Sequence, residues 1–493
     1  AMSTTISRPP IVAVLGHVDH GKTTLLDFIR KTSLTAKEYG GITQKIGAYE
    51  ITTNFKDYNT NKITFIDTPG HEAFSLLRAR GANVSDIAIL IIDAKDSVMP
   101  QTVESISHIK SAKTPLIVVI NKIDLPEANP EKVKNDLLKY EIIVEGKGGG
   151  IPVVLVSAKT GKGVRELLEA ILLVATDLNL QYSVESSPRA YIIEAKKDKR
   201  GTTVSAIIKD GRLKIGDFIR AEDKKAKIRA MFNDHGTAIS EVTPSMPFEF
   251  LGFSDLPEVG SVITPESEFA KQAKKSNKND DQKNIIPQKI DLDALLNPKK
   301  KDKKLSLIIR ADSQGSLDAI SQSLESDINI EVVLKAVGDI NKSDIFLAKS
   351  TGSIIIGFST TVSDEANQLA KQEKVIIKTY NIIYDLLDEL GEVADLIKEK
   401  QQKEKNLKGS AKILASFIIK GEKIYGVKII KGKINLGDEL EIHRAEQLLG
   451  KTKLVSLKVR AKSLSEVKKE QEAGMIFSHP LDIHIGDVVK SIL

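Results

Sequence analysis

Residues 16–23 read Gly-His-Val-Asp-His-Gly-Lys-Thr, and this stretch decides how the first part of the chain folds. It follows an apolar run at 11–15 and precedes a run of helical character at 24–29. A strand, a tight loop and a helix N-terminus form a phosphate cradle, because backbone N–H groups converge on the phosphate oxygens. We therefore predict a nucleoside triphosphate site. Its candidate ligands in this stretch are Gly16, His17, Val18, Asp19, His20, Gly21, Lys22, Thr23 and Thr24.

A second motif, Asp-Thr-Pro-Gly-His at 67–71, follows a short strand-like run at 63–66. Asp67 is predicted to hold magnesium, usually through water, and Gly70 lets the backbone swing toward a γ-phosphate. The Thr23 hydroxyl can bind the same ion, and Thr43, in a glycine-rich polar loop, is placed to complete its shell. His71 comes just past the glycine, so we favour a functional histidine over an ordinary surface one. The predicted metal ligands are Thr23, Thr43 and Asp67.

Two further motifs predict which base is bound. Asn121-Lys122-Ile123-Asp124 follows an apolar run at 116–120, and Ser157-Ala158-Lys159 follows another at 152–156. A carboxylate at Asp124 can accept two hydrogen bonds from the N1 and N2 edge of guanine, which adenine cannot offer. The base is therefore predicted to be guanine, and the cofactors GTP or GDP with Mg²⁺. The candidate ligands added by these motifs are Asp67, Gly70, Asn121, Lys122, Asp124, Ser157, Ala158 and Lys159.

The amino-acid composition limits the classes of protein to which the chain can belong. The chain has 493 residues, a length that suggests three or four domains. Its hydrophobic residues, 41% of the total, are enough to form cores in these domains. It has no cysteine, which excludes disulfides, thiolate catalysis and Cys-ligated zinc. No apolar stretch reaches the length of a spanning helix and residues 1–5 lack a signal pattern, so we expect a cytoplasmic protein without a membrane partner.

Charge is unevenly placed along the chain. Residues 396–493 carry 20 Lys and Arg against 12 Asp and Glu, while the whole chain has a net charge of +6. This asymmetry favours a polyanion partner for the C-terminal fifth, with a solvated basic surface as the alternative. Aromatic residues are few there, so phosphate contact and shape are favoured over base stacking.

The pattern of apolar residues predicts a multidomain chain of α/β and β-barrel parts. Early in the chain, apolar runs typical of buried strands alternate with amphipathic segments typical of helices. In the next part, apolar residues recur at every second position between regular turn signals, which is typical of a β-barrel. Both patterns then occur a second time. The predicted parts are a leader at 1–8, a P-loop GTPase domain at 9–180, a β-barrel at 188–264, a linker at 265–304, an α/β domain at 305–381, a connecting helix at 382–409 and a C-terminal β-barrel at 410–493.

Several segments together resemble the bacterial translation initiation factor 2 family. Residues 16–23 fit translational GTPases in general, including elongation factor Tu. More particular segments are Gly-Gly-Ile-Thr-Gln-Lys-Ile-Gly-Ala-Tyr at 40–49, Lys-Arg-Gly at 199–201, Ile-Ile-Arg-Ala-Asp-Ser-Gln-Gly-Ser at 308–316 and Ile-Ile-Tyr-Asp-Leu at 382–386. The resemblance covers nearly the whole chain.

The resemblance implies a monomeric GTPase that places initiator tRNA on the small ribosomal subunit and promotes joining of the large subunit. It implies that His71 orients the attacking water beside an apolar gate of Val18 and Ile42, when the ribosome positions it. It also implies that the last barrel binds the formylmethionyl end of the tRNA. The residues matching that region include Lys458, Arg460, Glu472 and Gly474. Ala473 stands where familiar members carry a cysteine.

Two alternatives remain open from the sequence. An elongation-type carrier of aminoacyl-tRNA would share the nucleotide motifs, although the Gly40-Gly41 loop and the later domains argue against it. A binding module with a vestigial GTPase would rely on the C-terminal barrel alone, which the intact Lys22, Asp67 and His71 disfavour.

Overall fold

The computed structural model describes residues 5–31, 47–69, 72–266, 304–325, 327–419, 421–445, 447–460, 462–479 and 481–492. These residues belong to two compact units. The first contains the described residues of 5–266 and 305–390, and the second contains Lys304 and the described residues of 391–492. A single helix, Ile383–Lys405, runs from the first unit into the second.

The helices are α1 (Lys22–Arg30), α2 (Ser75–Val84), α3 (Pro100–Ala112), α4 (Pro130–Leu138), α5 (Val164–Asp177), α6 (Gln314–Leu324), α7 (Lys342–Thr351), α8 (Asp364–Glu373) and α9 (Ile383–Lys405), with a 3₁₀ turn at Glu72–Phe74. The first strands are β1 (Thr5–Ser7), β2 (Ile11–Gly16), β3 (Gly47–Thr52), β4 (Lys62–Asp67), β5 (Ile87–Asp93), β6 (Leu116–Asn121), β7 (Val153–Leu155) and β8 (Gln181–Ser183).

Ten further strands follow before the gap at 267–303: β9 (Arg189–Asp198), β10 (Gly201–Asp210), β11 (Leu213–Lys214), β12 (Phe218–Ala221), β13 (Lys224–Lys227), β14 (Ala230–Phe232), β15 (Ala238–Ile239), β16 (Glu241–Val242), β17 (Pro247–Leu251) and β18 (Val262–Pro265). Beyond the gap are β19 (Leu305–Ala311), β20 (Ile330–Val337), β21 (Ile354–Phe358) and β22 (Ile377–Tyr380). The second unit contains β23 (Leu407–Ile419), β24 (Glu422–Asn435), β25 (Glu439–Arg444), β26 (Gln447–Val459), β27 (Lys462–Ser463), β28 (Glu466–Lys468), β29 (Glu472–Phe477) and β30 (Val488–Ile492).

The first sheet has the order β3-β4-β2-β5-β6-β7 and is parallel except for β3. Its central strands β2 and β5 are buried at every residue, because their side chains are almost all apolar. Alternate residues serve two cores: Ile89 and Ile91 pack on one face, and Leu90 and Ile92 on the other. Helices therefore cover both faces, and the carboxyl ends of the parallel strands meet at one edge.

The segment predicted as a leader, residues 1–8, contains a short strand that its sequence does not predict. Residues Thr5–Ser7 form β1, which pairs antiparallel with β8. Next to it, the Arg8 guanidinium binds the Asp86 carboxylate at 2.6 and 2.8 Å. Lys209, on β10, lies 3.2 Å from the same carboxylate. The half-buried Arg8 thus links the start of the chain, the first sheet and the following antiparallel sheet.

Strands β9–β18 form mainly an eight-stranded antiparallel sheet of order β13-β12-β18-β9-β10-β17-β14-β15, with β11 and β16 paired separately. One apolar core, including Ile192, Val204 and Phe250, serves these strands. Strands β19–β22 then form a parallel sheet of order β20-β19-β21-β22. Its core includes Ile308 and Ile355.

A buried carboxylate joins these two parts. Glu194, on β9, accepts hydrogen bonds from Ser313 Oγ at 3.0 Å and from the backbone N–H of Gly315 at 3.1 Å. Ser313 is the N-cap of α6, so an acidic side chain lies at the helix end that carries partial positive charge. Burial raises the pKa of Glu194, and these hydrogen bonds offset only part of that rise.

The second unit contains a closed barrel. Its sheet order is β23-β30-β25-β26-β29-β24, and β23 also pairs with β24, which closes the ring. Side chains such as Ile413, Val427 and Met475 fill the interior. The predicted class, α/β parts combined with β-barrels, is confirmed. None of the helices in the described segments has the length and apolar character needed to cross a membrane.

Candidate functional site

The loops of the first sheet place most of the predicted nucleotide ligands at one edge. Residues 16–24 run from the last residue of β2 through the loop into the first turn of α1, and Asp67 ends β4. Asn121 ends β6, residues 122–124 follow it, and residues 157–159 follow β7. Thr43, Gly70 and His71, together with the gate residue Ile42, lie outside the described residues. Their predicted roles stay predictions.

The phosphate-binding loop depends on glycine at its close approaches. Gly21 has φ +89°, and a Cβ added there would lie 2.4 Å from Asn121 Nδ2. Gly16 has φ +148°, and its added Cβ would lie 2.4 Å from the Ile91 carbonyl oxygen. L side chains rarely adopt these backbone conformations, so substitution at either position is strained.

Lys22 begins α1 and is buried in the loop. Its Nζ donates to the carbonyl oxygens of Gly16 at 3.0 Å and His17 at 2.6 Å. Burial lowers the pKa of Lys22 to about 8, although Asp67 opposes the shift. The ammonium group is thus held at the end of the loop that would face the terminal phosphates.

The two histidines of the loop are packed against each other, with ring centroids 5.0 Å apart. His20 is 1% exposed, and burial, helped by His17, lowers its pKa to about 4. His20 is therefore neutral at pH 7 and acts as part of the packing beneath the loop.

Asn121 ties the phosphate loop to the loop after β7. Its Nδ2 donates to the His20 carbonyl oxygen at 2.9 Å, and its Oδ1 accepts from the Ala158 N–H at 3.0 Å. The side chain is 1% exposed, so both hydrogen bonds are shielded from water. Asn121 therefore joins the loop predicted to bind phosphate to the loop after β7, which is predicted to bind the base.

The base end carries an exposed carboxylate. A hydrogen bond from Ser157, followed by weaker effects of Lys159 and Lys122, lowers the pKa of Asp124. The carboxylate is thus ionised at neutral pH and can accept from a guanine edge. Lys122 is held nearby by an ion pair of 2.7 Å with Asp93 at the end of β5.

The residues available for magnesium are oxygen donors. Thr23 stands in the first turn of α1, and Asp67 ends β4, which pairs with β2 in the register Val14 to Asp67. A hydroxyl and a carboxylate fit a hard divalent cation that takes its remaining ligands from phosphate and water. Within the described segments, no group of three or more His, Asp or Glu side chains could hold a metal ion without such help.

Sequence reasoning missed three residues that hold these loops. Asp93 anchors Lys122, Gln101 Oε1 accepts the Val18 N–H at 2.9 Å, and Arg78 donates to the Pro69 carbonyl oxygen at 3.1 Å. The separations in sequence range from nine residues for Arg78 and Pro69 to 83 for Gln101 and Val18. The one available signal was Arg78 itself, a charged residue on the otherwise apolar buried face of α2.

The barrel of the second unit has a cavity in the region predicted to bind tRNA. A cavity of about 840 Å³ opens there, and all four residues predicted to contact tRNA line it: Lys458, Arg460, Glu472 and Gly474. Leu414, Phe417 and Ile424 form an apolar wall, and Ala473 belongs to the lining. The cavity thus combines an apolar side with two cationic side chains and the carboxylate of Glu472.

Comparison with known proteins matches three family models to the chain. The GTP-binding domain of elongation factor Tu matches residues 7–177, domain 2 of elongation factor G matches 187–266, and translation-initiation factor 2 matches 279–391. The chain is 42% identical over 496 residues to translation initiation factor IF-2 of Caldanaerobacter subterraneus subsp. tengcongensis, covering 98% of this chain and 69% of that protein. The chain belongs to the translation initiation factor IF-2 family.

Other IF-2 relatives are longer than this chain. The IF-2 of Rhizobium etli is 41% identical over 499 residues, which cover 98% of this chain and 54% of that protein. The chain thus spans about half the length of this relative. Among solved structures, GDP-bound aIF5B from Aeropyrum pernix is 26% identical, with 98% of this chain and 92% of that chain covered and a TM-score of 0.48.

Proposed function

We propose that the chain is a GTPase of translation initiation, which binds GTP or GDP with Mg²⁺ in its first unit and initiator tRNA in its second. The observation that carries the nucleotide part is the Asn121 bridge. It brings the phosphate loop and the loop after β7 together beside the ionised Asp124, the arrangement that a guanine nucleotide requires.

The first unit supplies the groups that hydrolysis needs. Lys22 and the backbone N–H groups of the loop at 16–23, apart from that of Val18, would bind the phosphates, and Thr23 and Asp67 would hold the metal. When bound, Mg²⁺ neutralises charge that develops on the phosphates. We propose that His71 orients the attacking water once the ribosome positions it, so that hydrolysis by the free chain is slow.

The cavity of the second unit fits the acceptor end of an aminoacylated RNA. Its apolar wall can take an unbranched side chain such as that of methionine, while Lys458 and Arg460 face the adjacent phosphates. A formyl group removes the positive charge of the amino terminus, and a charged amine would be costly against the apolar wall. This chemistry favours formylmethionyl-tRNA over tRNAs with a free amino group.

Nucleotide titrations test the first part of the proposal. The full chain should bind GTP and GDP in the presence of Mg²⁺ and should not bind ATP at the same concentrations. Purified small and large ribosomal subunits should accelerate GTP hydrolysis and join faster in the presence of the chain and GTP. ATP binding equal to GTP binding would contradict the guanine assignment, and hydrolysis unaffected by ribosomes would contradict the initiation role.

A filter-binding comparison tests the second part. The full chain should retain formylated initiator tRNA at least tenfold better than unformylated initiator tRNA or an elongator tRNA. Replacing Lys458 and Arg460 with glutamine should weaken that binding about tenfold. The same substitution at Lys433 and Lys451, which do not line the cavity, removes equal charge and should have little effect. Equal retention of all the tRNAs would favour an elongation-type carrier or nonspecific binding instead.

A further inference from the structure

One helix of the first unit contacts both loops at the phosphate end of the nucleotide site. On α3, Gln101 Oε1 accepts the Val18 N–H at 2.9 Å. One turn further along, both oxygens of Glu104 accept from Arg78 Nη2, at 2.7 and 2.8 Å. Arg78 Nη1 in turn donates to the Pro69 carbonyl oxygen at 3.1 Å. Helix α3 therefore contacts the phosphate loop directly and is connected to Pro69 through Arg78.

Burial stabilises the connection from Glu104 through Arg78 to Pro69. The Arg78 side chain is fully buried, and a buried guanidinium is stable only when it is paired. Burial alone would raise the pKa of Glu104, but hydrogen bonds from His108, Ser75 and Arg78 outweigh it and lower the pKa to about 2. The ion pair is thus intact at neutral pH, and it holds a carbonyl two residues before His71.

Neither connection involves the groups assigned to base recognition. Those groups lie after β6 and β7, whereas Gln101 and Glu104 act on the loops after β2 and β4. The Val18 N–H is directed to Gln101, so this hydrogen bond sets where the loop backbone lies relative to α3. Rate depends more steeply than affinity on such spacing, because reacting groups must meet within a few tenths of an ångström.

We propose that Gln101 and Glu104 are positioning residues for GTP hydrolysis, which set where the backbone at Val18 and at Pro69 lies relative to α3. The inference rests on the proposed GTPase function. It assigns α3 a role in rate, separate from nucleotide binding.

The test uses Gln101→Met in the full chain, because methionine keeps the length of the side chain but removes the acceptor oxygen. Ribosome-stimulated kcat should fall about tenfold, the effect of one lost hydrogen bond in a reacting geometry, while the KM for GTP and the Kd for GDP stay within twofold. Gln101→Glu, which restores an acceptor, should recover most of the rate. Ser107→Ala, at an exposed position on the same helix, is the matched control.

Two results would overturn the inference: an unchanged kcat for Gln101→Met, or a loss of kcat accompanied by an equal loss of nucleotide affinity. Arg78→Lys gives an independent check, because lysine keeps the charge but cannot donate to Glu104 and Pro69 through a planar fork. It should lower kcat as Gln101→Met does. A wild-type chain that ribosomes fail to stimulate would contradict the proposed function and, with it, this inference. A stimulated wild type with an unaffected variant would contradict the inference alone.

Discussion

Replacing Asn121 with alanine should weaken nucleotide binding, because its side chain joins the predicted phosphate loop to the loop after β7. The change removes two buried hydrogen bonds, to the His20 carbonyl oxygen and from the Ala158 N–H. Each is worth roughly 1 kcal/mol net, and the buried groups left without partners add to the cost. The total is about 2–4 kcal/mol, concentrated where two ligand-binding loops meet.

In the variant, the nucleotide would have to order these loops when it binds. The binding free energy should therefore become less favourable by about the same amount. At about 1.4 kcal/mol per factor of ten, the Kd for GDP should rise between roughly 30-fold and roughly 700-fold. Equilibrium titration of the full chain with a fluorescent GDP analogue at 25 °C measures the change.

Asn129→Ala is the matched control for this experiment. Asn129 caps α4 by accepting from the Lys132 N–H, and losing the cap should cost about 1 kcal/mol of stability without changing the GDP affinity. A Kd for Asn121→Ala within threefold of the wild-type value would refute the reasoning, since the bridge would then not organise the site.

Three further predictions follow from the same geometry. Asp124→Asn turns an acceptor into a donor, so GTP affinity should fall at least a hundredfold while xanthosine triphosphate, which has a carbonyl at C2, binds in competition assays. Gly21→Ala should lower GDP affinity at least tenfold in the same titration, because its Cβ would clash with Asn121. The pKa of Glu194 is raised in the folded chain, so its contribution to stability is full below the ordinary value of 4.5 and is lost as pH rises through the raised value. Glu194→Gln removes this titration. The urea concentration at the midpoint of unfolding should therefore depend less on pH in the variant and should be higher than in the wild type at pH 7.

The alternation of strands and helices was predictable because the information is local. Runs such as residues 87–92 are apolar throughout, which marks strands covered on both faces, and each nucleotide motif directly follows one of these runs. The resemblance to the IF-2 family is confirmed by relatives that match nearly the whole chain. The individual roles of the site residues stay predictions.

The supporting contacts were not predictable, because their partners are distant in sequence. Gln101 is 83 residues from Val18, and Glu194 is 121 residues from Gly315. Strand β1 was missed for a related reason: three residues of ordinary polarity become a strand only because β8 lies beside them. Local pattern gives the elements, whereas these contacts depend on how the elements pack.

The most direct test of the account is ribosome-stimulated hydrolysis of GTP by the wild-type chain and by His71→Ala, measured with matched GDP titrations. The account predicts that both proteins bind GDP with the same affinity in the presence of Mg²⁺, and that ribosomes stimulate only the wild type. Equal stimulated rates would remove His71 from its proposed role. A wild-type chain that binds no guanine nucleotide would contradict the central claim.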